Sequence, residues 1–453
     1  MIKKYFIWFL ILGFIIRIIL AGISAWNFDT SIWYRFALDL KAGFGPFGHF
    51  NFSYPPALAA FFSVTLLPLI KFIPIANWGL FNPDLYGVQS WIVDPNITSP
   101  IFNFMFKIPM IIGELLLVYL LFLYIKERIS EEKAKWIAVL WYLNPLIIFI
   151  VAVHGQLDIY PVLFLFLGVT LLYVENQMLA GLMVGIAISM KMYPIFLVLP
   201  FAALILSAYE GKKVGARIIK LGKFIIGLLL PLVLSAFYLL NNDKARELVF
   251  NRFRTTGFEG SLNLGSINYI PWLVPFVKNH SSFLSQIETI GLILSVAIIT
   301  FLVFFGYKKG TKFFKSYPLE IISVLVIFAT YLFSQRTNPN YLIWSFPFLL
   351  IIIAKKPGLQ IYYYIMSLAG LLFYFAINSF GLGILFLPLA QYFSRLNISI
   401  SGIMHNYLYF DSLKGIINGR LMYDAYLISA IIFIFSLIAI SVNLSREIKN
   451  PRA

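Results

Sequence analysis

The sequence contains no cysteine and few charged residues. Of its 453 residues, 12% are Asp, Glu, Lys or Arg, and 4 are histidine. The lack of cysteine excludes a disulfide, a thiolate metal site and a cysteine nucleophile. The sequence also has no glycine-rich phosphate loop, internal repeat or low-complexity tract, which excludes a soluble nucleotide-binding domain.

Apolar side chains, in contrast, are abundant. Hydrophobic residues make up 60% of the chain and aromatic residues 18%, and the mean hydropathy is +0.87. Soluble domains do not reach these values, so the composition predicts an integral membrane protein. About twelve apolar runs of spanning length predict an all-α polytopic fold. The first run, Tyr5 to Ala25, has spanning length and no small-residue cleavage site after it, so we interpret it as a transmembrane helix instead of a signal peptide.

The net charge of +16 is a topology signal. With a cytoplasmic N-terminus, the short cytoplasmic segments and the two termini hold more than half of the 35 Lys and Arg residues. This is the positive-inside pattern, so we expect both termini in the cytoplasm and no nucleic-acid partner. The three long segments, 26–100, 241–283 and 379–421, then lie outside.

The first outer loop, 26–100, contains an apolar piece of its own, Ala57 to Pro74. Its flanking prolines and the internal Lys71 favour a helix at the membrane interface over a further span. We divide the chain into a transmembrane module, 1–354, and C-terminal helices with an outer loop, 355–453.

Polar residues collect where the apolar runs meet the outer face. Asp29 follows the first run, in a stretch too polar and glycine-rich to stay in lipid. Insertion of Asp at a helix centre costs about 2.5–3.5 kcal/mol, so the edge position keeps this carboxylate hydrated. The other residues of this group are His154, Gln156, Asp158, Lys191, Arg252, Arg254, Gln335 and Arg336. Cations and imidazoles around one carboxylate suit a reaction in which a lipid-linked phosphate departs.

A single carboxylate is enough for such a reaction. Glycoside hydrolysis needs two carboxyl groups, because the departing alcohol must be protonated. A sugar on a polyprenyl phosphate leaves a phosphate instead, whose charge Arg, Lys or His can stabilise without a general acid. The reaction then needs only a base for the proton of the acceptor hydroxyl, and Asp29 is the candidate. Displacement from the opposite face would invert the anomeric carbon.

Seven stretches of the chain carry a family resemblance. They are NFDTSIWYRFA, SYPPALAAFF, FKIPMIIGELLLVYLLFLY, NPLIIFIVAVHGQLD, AGLMVGIAISMKMYPIFLVLPF, FNRFRTTGFEGSLNLGSI and SQRTNPNYLIWSFPFLL. In this order they resemble the GT-C glycosyltransferases, and most closely the dolichyl-phosphate-glucose-dependent glucosyltransferases that extend lipid-linked oligosaccharides. The resemblance implies a GT-C fold, a polyprenyl-phosphate sugar as co-substrate, a lipid-linked glycan as acceptor, and neither a metal nor another cofactor.

The resemblance also implies roles for single residues. Asp29 occupies the position of the family's catalytic base. His154 and Gln156 match its HxQ motif, and Lys191 matches a lysine between two helices, which implies contacts to the donor phosphate or sugar. Arg336 lies where the family has a His-Glu-Lys stretch, so a mannose donor fits as well as a glucose donor.

Four further residues complete the candidate site. Asp158 stands where the family has an asparagine, and we group it with the donor-binding residues although its role is open. Arg252, Arg254 and Tyr54 are the candidates for binding the acceptor or a lipid phosphate.

Each of the main residues has a second interpretation. Asp29 opens a helix-like run and would also serve as an N-cap. Lys191 precedes Pro194, where a helix is expected to break, and its side chain would also reach the headgroups. Glu114 lies within the second predicted helix, so we expect an internal partner for it and no catalytic role.

Two other function classes fit parts of the sequence. A secondary transporter or flippase of a lipid or sugar would also have about twelve spans, but the loops are unequal and no two similar halves exist. A non-catalytic assembly subunit would tolerate the loss of Asp29. We favour a hexosyltransferase in a prokaryotic plasma membrane, with an endoplasmic reticulum location as the alternative.

Overall fold

Apolar helices make up most of the protein, as the hydropathy predicts. A computed structural model describes residues 2–45, 47, 54–71, 74, 79–81, 97–208, 214–255, 262, 275, 279–308, 318–334, 337–377, 385–389 and 417–449. The helices there are α1 (Ile2–Ile23), α2 (Asn27–Lys41), α3 (Pro56–Ile70), α4 (Pro100–Arg128), α5 (Glu131–Tyr142), α6 (Pro145–Ile148), α7 (Ile159–Tyr173), α8 (Gln177–Met190), α9 (Val198–Ala208), α10 (Val214–Leu240), α11 (Asp243–Thr255), α12 (Ser281–Lys308), α13 (Pro318–Phe333), α14 (Phe346–Lys355), α15 (Gln360–Ile377) and α16 (Ile417–Lys449).

Shorter elements connect these helices. A π-helical turn, Phe149–His154, continues α6, and 3-10 turns cover Tyr193–Leu197, Pro339–Trp344, Pro357–Leu359 and Leu387–Leu389. Two short strands, β1 (Gly79–Phe81) and β2 (Ile97–Thr98), pair antiparallel in the first outer loop. The all-α polytopic class is therefore confirmed, with this strand pair as the exception within the described residues.

The number of spans differs from the expected twelve. Among the described residues, six helices are long and apolar enough to cross a membrane, or seven if the bent pair α5 and α6 is one span. Several predicted runs form shorter helices. Helix α7 has 15 residues and α8 has 14, so each is about 22 Å long, against a hydrocarbon core of about 30 Å. The count of about twelve is not confirmed.

The first outer loop contains two helices, α2 and α3. The predicted apolar piece, Ala57 to Pro74, corresponds to α3, which begins with Pro56 in its first turn, where a missing N–H costs nothing. Helix α3 packs against α2, α4 and α8. Its buried face is formed by Leu58, Ala59, Phe62 and Leu66.

Helices α8 and α10 approach each other at backbone distance. A Cβ atom at Gly181 would lie 2.0 Å from the Phe224 carbonyl oxygen, and one at Gly227 would lie 2.0 Å from the Met178 carbonyl oxygen. Small residues permit such close contact between helices in lipid, where packing replaces the hydrophobic effect as the driving force. This pair fixes the position of α8, whose last residue precedes Lys191.

A buried ion pair joins α1 to α4. The Arg17 guanidinium donates to both Glu114 carboxylate oxygens, at 2.6 and 2.5 Å, and neither side chain is exposed. Arg17 also donates to the carbonyl oxygens of Gly13 and Tyr142, and the Trp141 indole donates to Glu114. The expectation that Glu114 has an internal partner is confirmed. Through these hydrogen bonds the pair connects α1, α4 and α5.

We expect Glu114→Gln to destabilise the protein by about 3–5 kcal/mol, because the change leaves the Arg17 charge buried without a counter-ion. Thermal unfolding in detergent measures the effect. Glu131→Gln is the matched control, since its bond to Lys135 is 2.6 Å long but lies at the surface. The double change Arg17→Met with Glu114→Met should recover part of the loss. Equal melting temperatures for Glu114→Gln and Glu131→Gln would contradict this account.

Candidate active site

The segment that follows α6 forms a π-helical turn and brings two polar side chains, His154 and Gln156, to one side of the chain. Asn144 caps α6 by accepting from the Leu146 and Ile147 amides, and the π-helical turn that follows ends at His154. Gly155 then adopts the left-handed conformation, with φ of 71°, and the Gln156 N–H donates to the Ile150 carbonyl at 3.0 Å, which caps the turn. Single π-helical turns are frequent at functional sites. Here the turn places His154 and Gln156 on one side of the chain.

Asp29 lies opposite this turn, in the first turn of α2. Its Oδ2 atom is 2.5 Å from His154 Nε2 and 2.6 Å from Gln156 Nε2. Trp26, and not Asp29, is the N-cap residue of α2, and its side chain makes no capping hydrogen bond. The N-cap interpretation of Asp29 is therefore wrong. The negative charge in the first helical turn is still favourable, because the helix dipole presents partial positive charge there.

The hydrogen-bond pattern determines which ring nitrogen of His154 carries the proton that faces Asp29. A carboxylate only accepts, so we assign a proton to His154 Nε2, directed at Asp29. In the neutral ring Nδ1 then accepts from the Tyr374 hydroxyl at 2.9 Å. Gln156 Nε2 and His154 Nε2 are 2.7 Å apart because both converge on Asp29 Oδ2. In the part of the chain that the structure describes, Oδ1 of Asp29 has no hydrogen-bond partner.

A second cluster is centred on Asp158. One carboxylate oxygen accepts from the Trp344 indole at 2.9 Å and lies 2.6 Å from Lys191 Nζ. The other accepts from the Asn340 amide at 2.6 Å. The Asp158 side chain is fully buried, whereas that of Lys191 is 25% exposed. Asp158 thus holds Lys191 in place, and only the lysine of this pair reaches the surface.

Lys191 carries the positive charge of this cluster. Helix α8 ends at Met190, before the 3-10 turn that contains Pro194, so the predicted helix break is confirmed. Burial lowers the pKa of Lys191, but the Asp158 carboxylate, together with Tyr341 and Tyr54, offsets this and holds the pKa above its ordinary value. The ammonium also lies 4.7 Å from the ring centre of Tyr341. The site therefore retains a fixed cation at neutral pH.

Tyr374 of α15 connects the two clusters. Its hydroxyl bonds to His154, and its ring packs against Trp26, with 5.3 Å between the ring centres. It also lies within electrostatic range of Asp29, Asp158 and Tyr341. Tyr374 therefore links the base cluster to the surroundings of Asp158, the carboxylate that holds Lys191.

Several predicted site residues meet in this structure. Asp29, His154 and Gln156 form the first cluster, and Asp158 and Lys191 the second. Tyr54 stacks on Trp33, with 5.3 Å between ring centres, and it contributes to the electrostatic environment of Lys191. Two candidate cations, Arg252 and Arg254, are on α11, and Gln335 and Arg336 lie outside the described residues.

Other residues of the site were not predicted. They are Tyr374, Asn340, Trp344 and Lys107. Lys107 is fully buried and donates to the Ser24 carbonyl at 2.6 Å, which braces the chain just before α2. The sequence did carry a signal for Lys107, because a lysine within an otherwise apolar run needs a buried partner for its charge. Tyr374 gave no comparable signal, since α15 contains several tyrosines.

No group of three or more His, Asp or Glu side chains suited to a metal ion occurs among the residues that the structure describes. Asp29 and Asp158 each bond to protein donors instead.

Replacement of Gly155 by alanine should displace His154 and Gln156 from Asp29. A Cβ atom there would lie 2.7 Å from the Phe106 ring and 3.1 Å from Lys107 Cγ. We expect a stability loss of about 1–3 kcal/mol from the crowding, in addition to the backbone strain. Gly43→Ala is the matched control, because Gly43 has φ of 83° and no atom within 4 Å of such a Cβ. Thermal unfolding measures both variants, and equal losses would show that crowding at Gly155 is unimportant.

Comparison with known proteins gives one family match. Residues 102–256 match Glycosyltransferase family 87, a segment of about a third of the 453 residues. The segment contains His154, Gln156, Asp158 and Lys191, whereas Asp29 lies before it. No curated protein matches the chain.

Two solved structures are similar to the chain, both of ArnT from Cupriavidus metallidurans. The apo structure is 12% identical, over 96% of this chain and 75% of that chain, with a TM-score of 0.44. The structure bound to undecaprenyl phosphate is 13% identical over the same shares, with a TM-score of 0.47. The family match over residues 102–256 supports a glycosyltransferase as the class of this protein.

Proposed function

We propose that the protein is an inverting hexosyltransferase. It moves a mannose or glucose from a polyprenyl-phosphate donor to an outward-facing acceptor, for which a lipid-linked oligosaccharide is our candidate. The observation that carries the proposal is the state of Asp29. One of its oxygens is fixed by His154 and Gln156, while the other has no partner among the described residues. This arrangement is suited to a base that must be oriented and still reach a substrate proton.

Asp29 is the proposed general base. As the acceptor hydroxyl attacks the anomeric carbon, Oδ1 of Asp29 takes the hydroxyl proton. The bond from the anomeric carbon to the phosphate oxygen breaks on the opposite face, so the configuration inverts. His154 and Gln156 hold the carboxylate through Oδ2, which fixes the direction in which Oδ1 points. The 16% exposure of the Asp29 side chain leaves room for an acceptor to approach.

Lys191 is the proposed contact to the departing phosphate. An ammonium fixed by a buried carboxylate stabilises negative charge that develops during the reaction, without reorganisation at the time of bond cleavage. Asp158 orients this cation and also holds Asn340 and Trp344. We therefore propose a positioning role for Asp158, and a further phosphate contact for Arg336.

The family match supports glycosyl transfer as the reaction class. We extend this to a donor in the bilayer, because the two clusters lie where short apolar helices end and the chain is an integral membrane protein. The acceptor contacts proposed for Arg252, Arg254 and Tyr54 follow from the sequence resemblance. We place the site on the extracytoplasmic face of a prokaryotic plasma membrane, on the basis of the positive-inside pattern.

Asp29→Asn should lower the transfer rate by about 100-fold to 10,000-fold, because the amide retains the shape of the carboxylate but is not a base. The assay offers polyprenyl-phosphate mannose and polyprenyl-phosphate glucose, with a lipid-linked oligosaccharide extract, to the purified protein in detergent. Mass spectrometry then detects the gain of one hexose. Asp39→Asn, which changes the same residue type on the same helix, is the matched control and should remain active.

Each outcome of this assay has a distinct meaning. Full transfer by Asp29→Asn would exclude Asp29 as the base and leave the enzyme class intact. Absence of transfer in the wild-type protein with both donors would reject the proposed combination of donor and acceptor and favour another donor or acceptor, and then the transporter.

Lys191→Ala should weaken donor use about tenfold to a hundredfold, the value of a hydrogen bond to a charged group. The effect should appear in KM for the donor, with KM for the acceptor nearly unchanged. Lys191→Arg keeps the charge and is the matched control. An unchanged donor KM in Lys191→Ala would remove this residue from the phosphate site.

A further inference from the structure

Three aromatic rings form a stack beside Asp158. The ring centres of Tyr193 and Trp344 are 3.8 Å apart with 4° between the planes, and those of Trp344 and Tyr341 are 4.2 Å apart with 19° between the planes. Two rings this close to one indole cannot share a face, so Trp344 lies in the middle. Tyr193 and Trp344 are buried, whereas Tyr341, at one end, is partly exposed.

Lys191 lies at the edge of this stack. Its ammonium is 4.7 Å from the ring centre of Tyr341 and 5.5 Å from that of Trp344. If the ammonium lay over the outer face of Tyr341, its distance to the Trp344 ring centre would exceed its distance to the Tyr341 ring centre by nearly the 4.2 Å between the two rings. The two observed distances differ by much less, so the ammonium lies beside the stack. Within the described residues, neither a ring nor a cation covers that outer face.

Hydrogen bonds hold two members of the stack, Trp344 and Tyr341, in place. Asp158 holds Trp344 through its indole and Lys191 through its ammonium. The Tyr341 carbonyl accepts from the Tyr331 hydroxyl at 2.6 Å, which fixes the backbone of the end residue. Tyr374, which bonds to His154 of the base cluster, lies within electrostatic range of Tyr341.

We propose that the outer face of Tyr341 is the stacking platform for the hexose of the donor, with the donor phosphate against Lys191 at its edge. The inference rests on the proposed function. One face of a hexose presents C–H groups, which pack favourably against the negative face of an aromatic ring. The donor phosphate is attached at the edge of the sugar ring. A hexose stacked on Tyr341 would therefore place its phosphate beside the stack, where the Lys191 ammonium lies. Tyr341 thus gives the site a higher affinity for a sugar-bearing lipid than for bare polyprenyl phosphate.

The test compares the affinities of the purified protein in detergent for polyprenyl phosphate and for polyprenyl-phosphate mannose and glucose of the same chain length. We expect the wild-type protein to prefer a sugar-bearing lipid. Tyr341→Leu and Tyr341→Gln should each reduce this preference about threefold to tenfold, while the affinity for polyprenyl phosphate stays the same. Tyr341→Phe keeps the ring and should keep the preference.

The controls separate recognition from folding. All three variants retain the backbone carbonyl that Tyr331 contacts, and thermal unfolding checks each of them. Tyr364→Leu removes a tyrosine of α15 that is 42% exposed, and it should leave the preference unchanged. An unchanged preference in Tyr341→Leu and Tyr341→Gln, an equal loss of affinity for both kinds of lipid, or no preference in the wild-type protein would each overturn the proposal.

The two proposals fail in different ways. A sugar preference that depends on Tyr341, in a protein that transfers no hexose, would reject the proposed function and keep the platform. Hexose transfer with the same sugar preference in the wild-type protein and in Tyr341→Leu would keep the function and reject the platform.

Discussion

The contact between Asp29 and His154 determines the arrangement of the whole candidate site. It joins the first turn of α2 to the end of a π-helical turn, across 125 positions of sequence. The bond requires the left-handed backbone of Gly155, which brings Gln156 to the same carboxylate oxygen. On the other side of the imidazole, the Tyr374 hydroxyl donates to His154 Nδ1. Three distant segments therefore cooperate to orient one carboxylate.

A second constraint is the free-energy cost of burying a charged side chain in an apolar protein. The fully buried charges of Arg17 and Glu114 form a pair, and the buried carboxylate of Asp158 is matched by Lys191. The two pairs differ in one respect, which bears on function. Arg17 and Glu114 are both inaccessible, so their pair stabilises helix packing, whereas Lys191 is partly exposed and can meet a ligand without losing its counter-ion.

Much of the site follows from the sequence, because polar residues are conspicuous in an apolar chain. Asp29, His154, Gln156, Asp158 and Lys191 stand out where apolar runs end, and the structure brings them together. Tyr374 and Trp344 do not stand out, since aromatic residues occur throughout the helices and their hydrogen bonds depend on tertiary packing. The number of spans could not be predicted from the sequence, because hydropathy detects apolar runs. It does not detect the breaks that divide these runs into helices as short as α8.

The stereochemistry of the transferred hexose shows whether Asp29 acts as the base in a single displacement. A base on one face of the sugar and a departing phosphate on the other require inversion in a single displacement. With a donor of known anomeric configuration, the one-bond C–H coupling at the anomeric carbon of the product identifies its configuration by NMR. We expect the opposite configuration in the product. Retention of the donor configuration would contradict a direct displacement with Asp29 as the base.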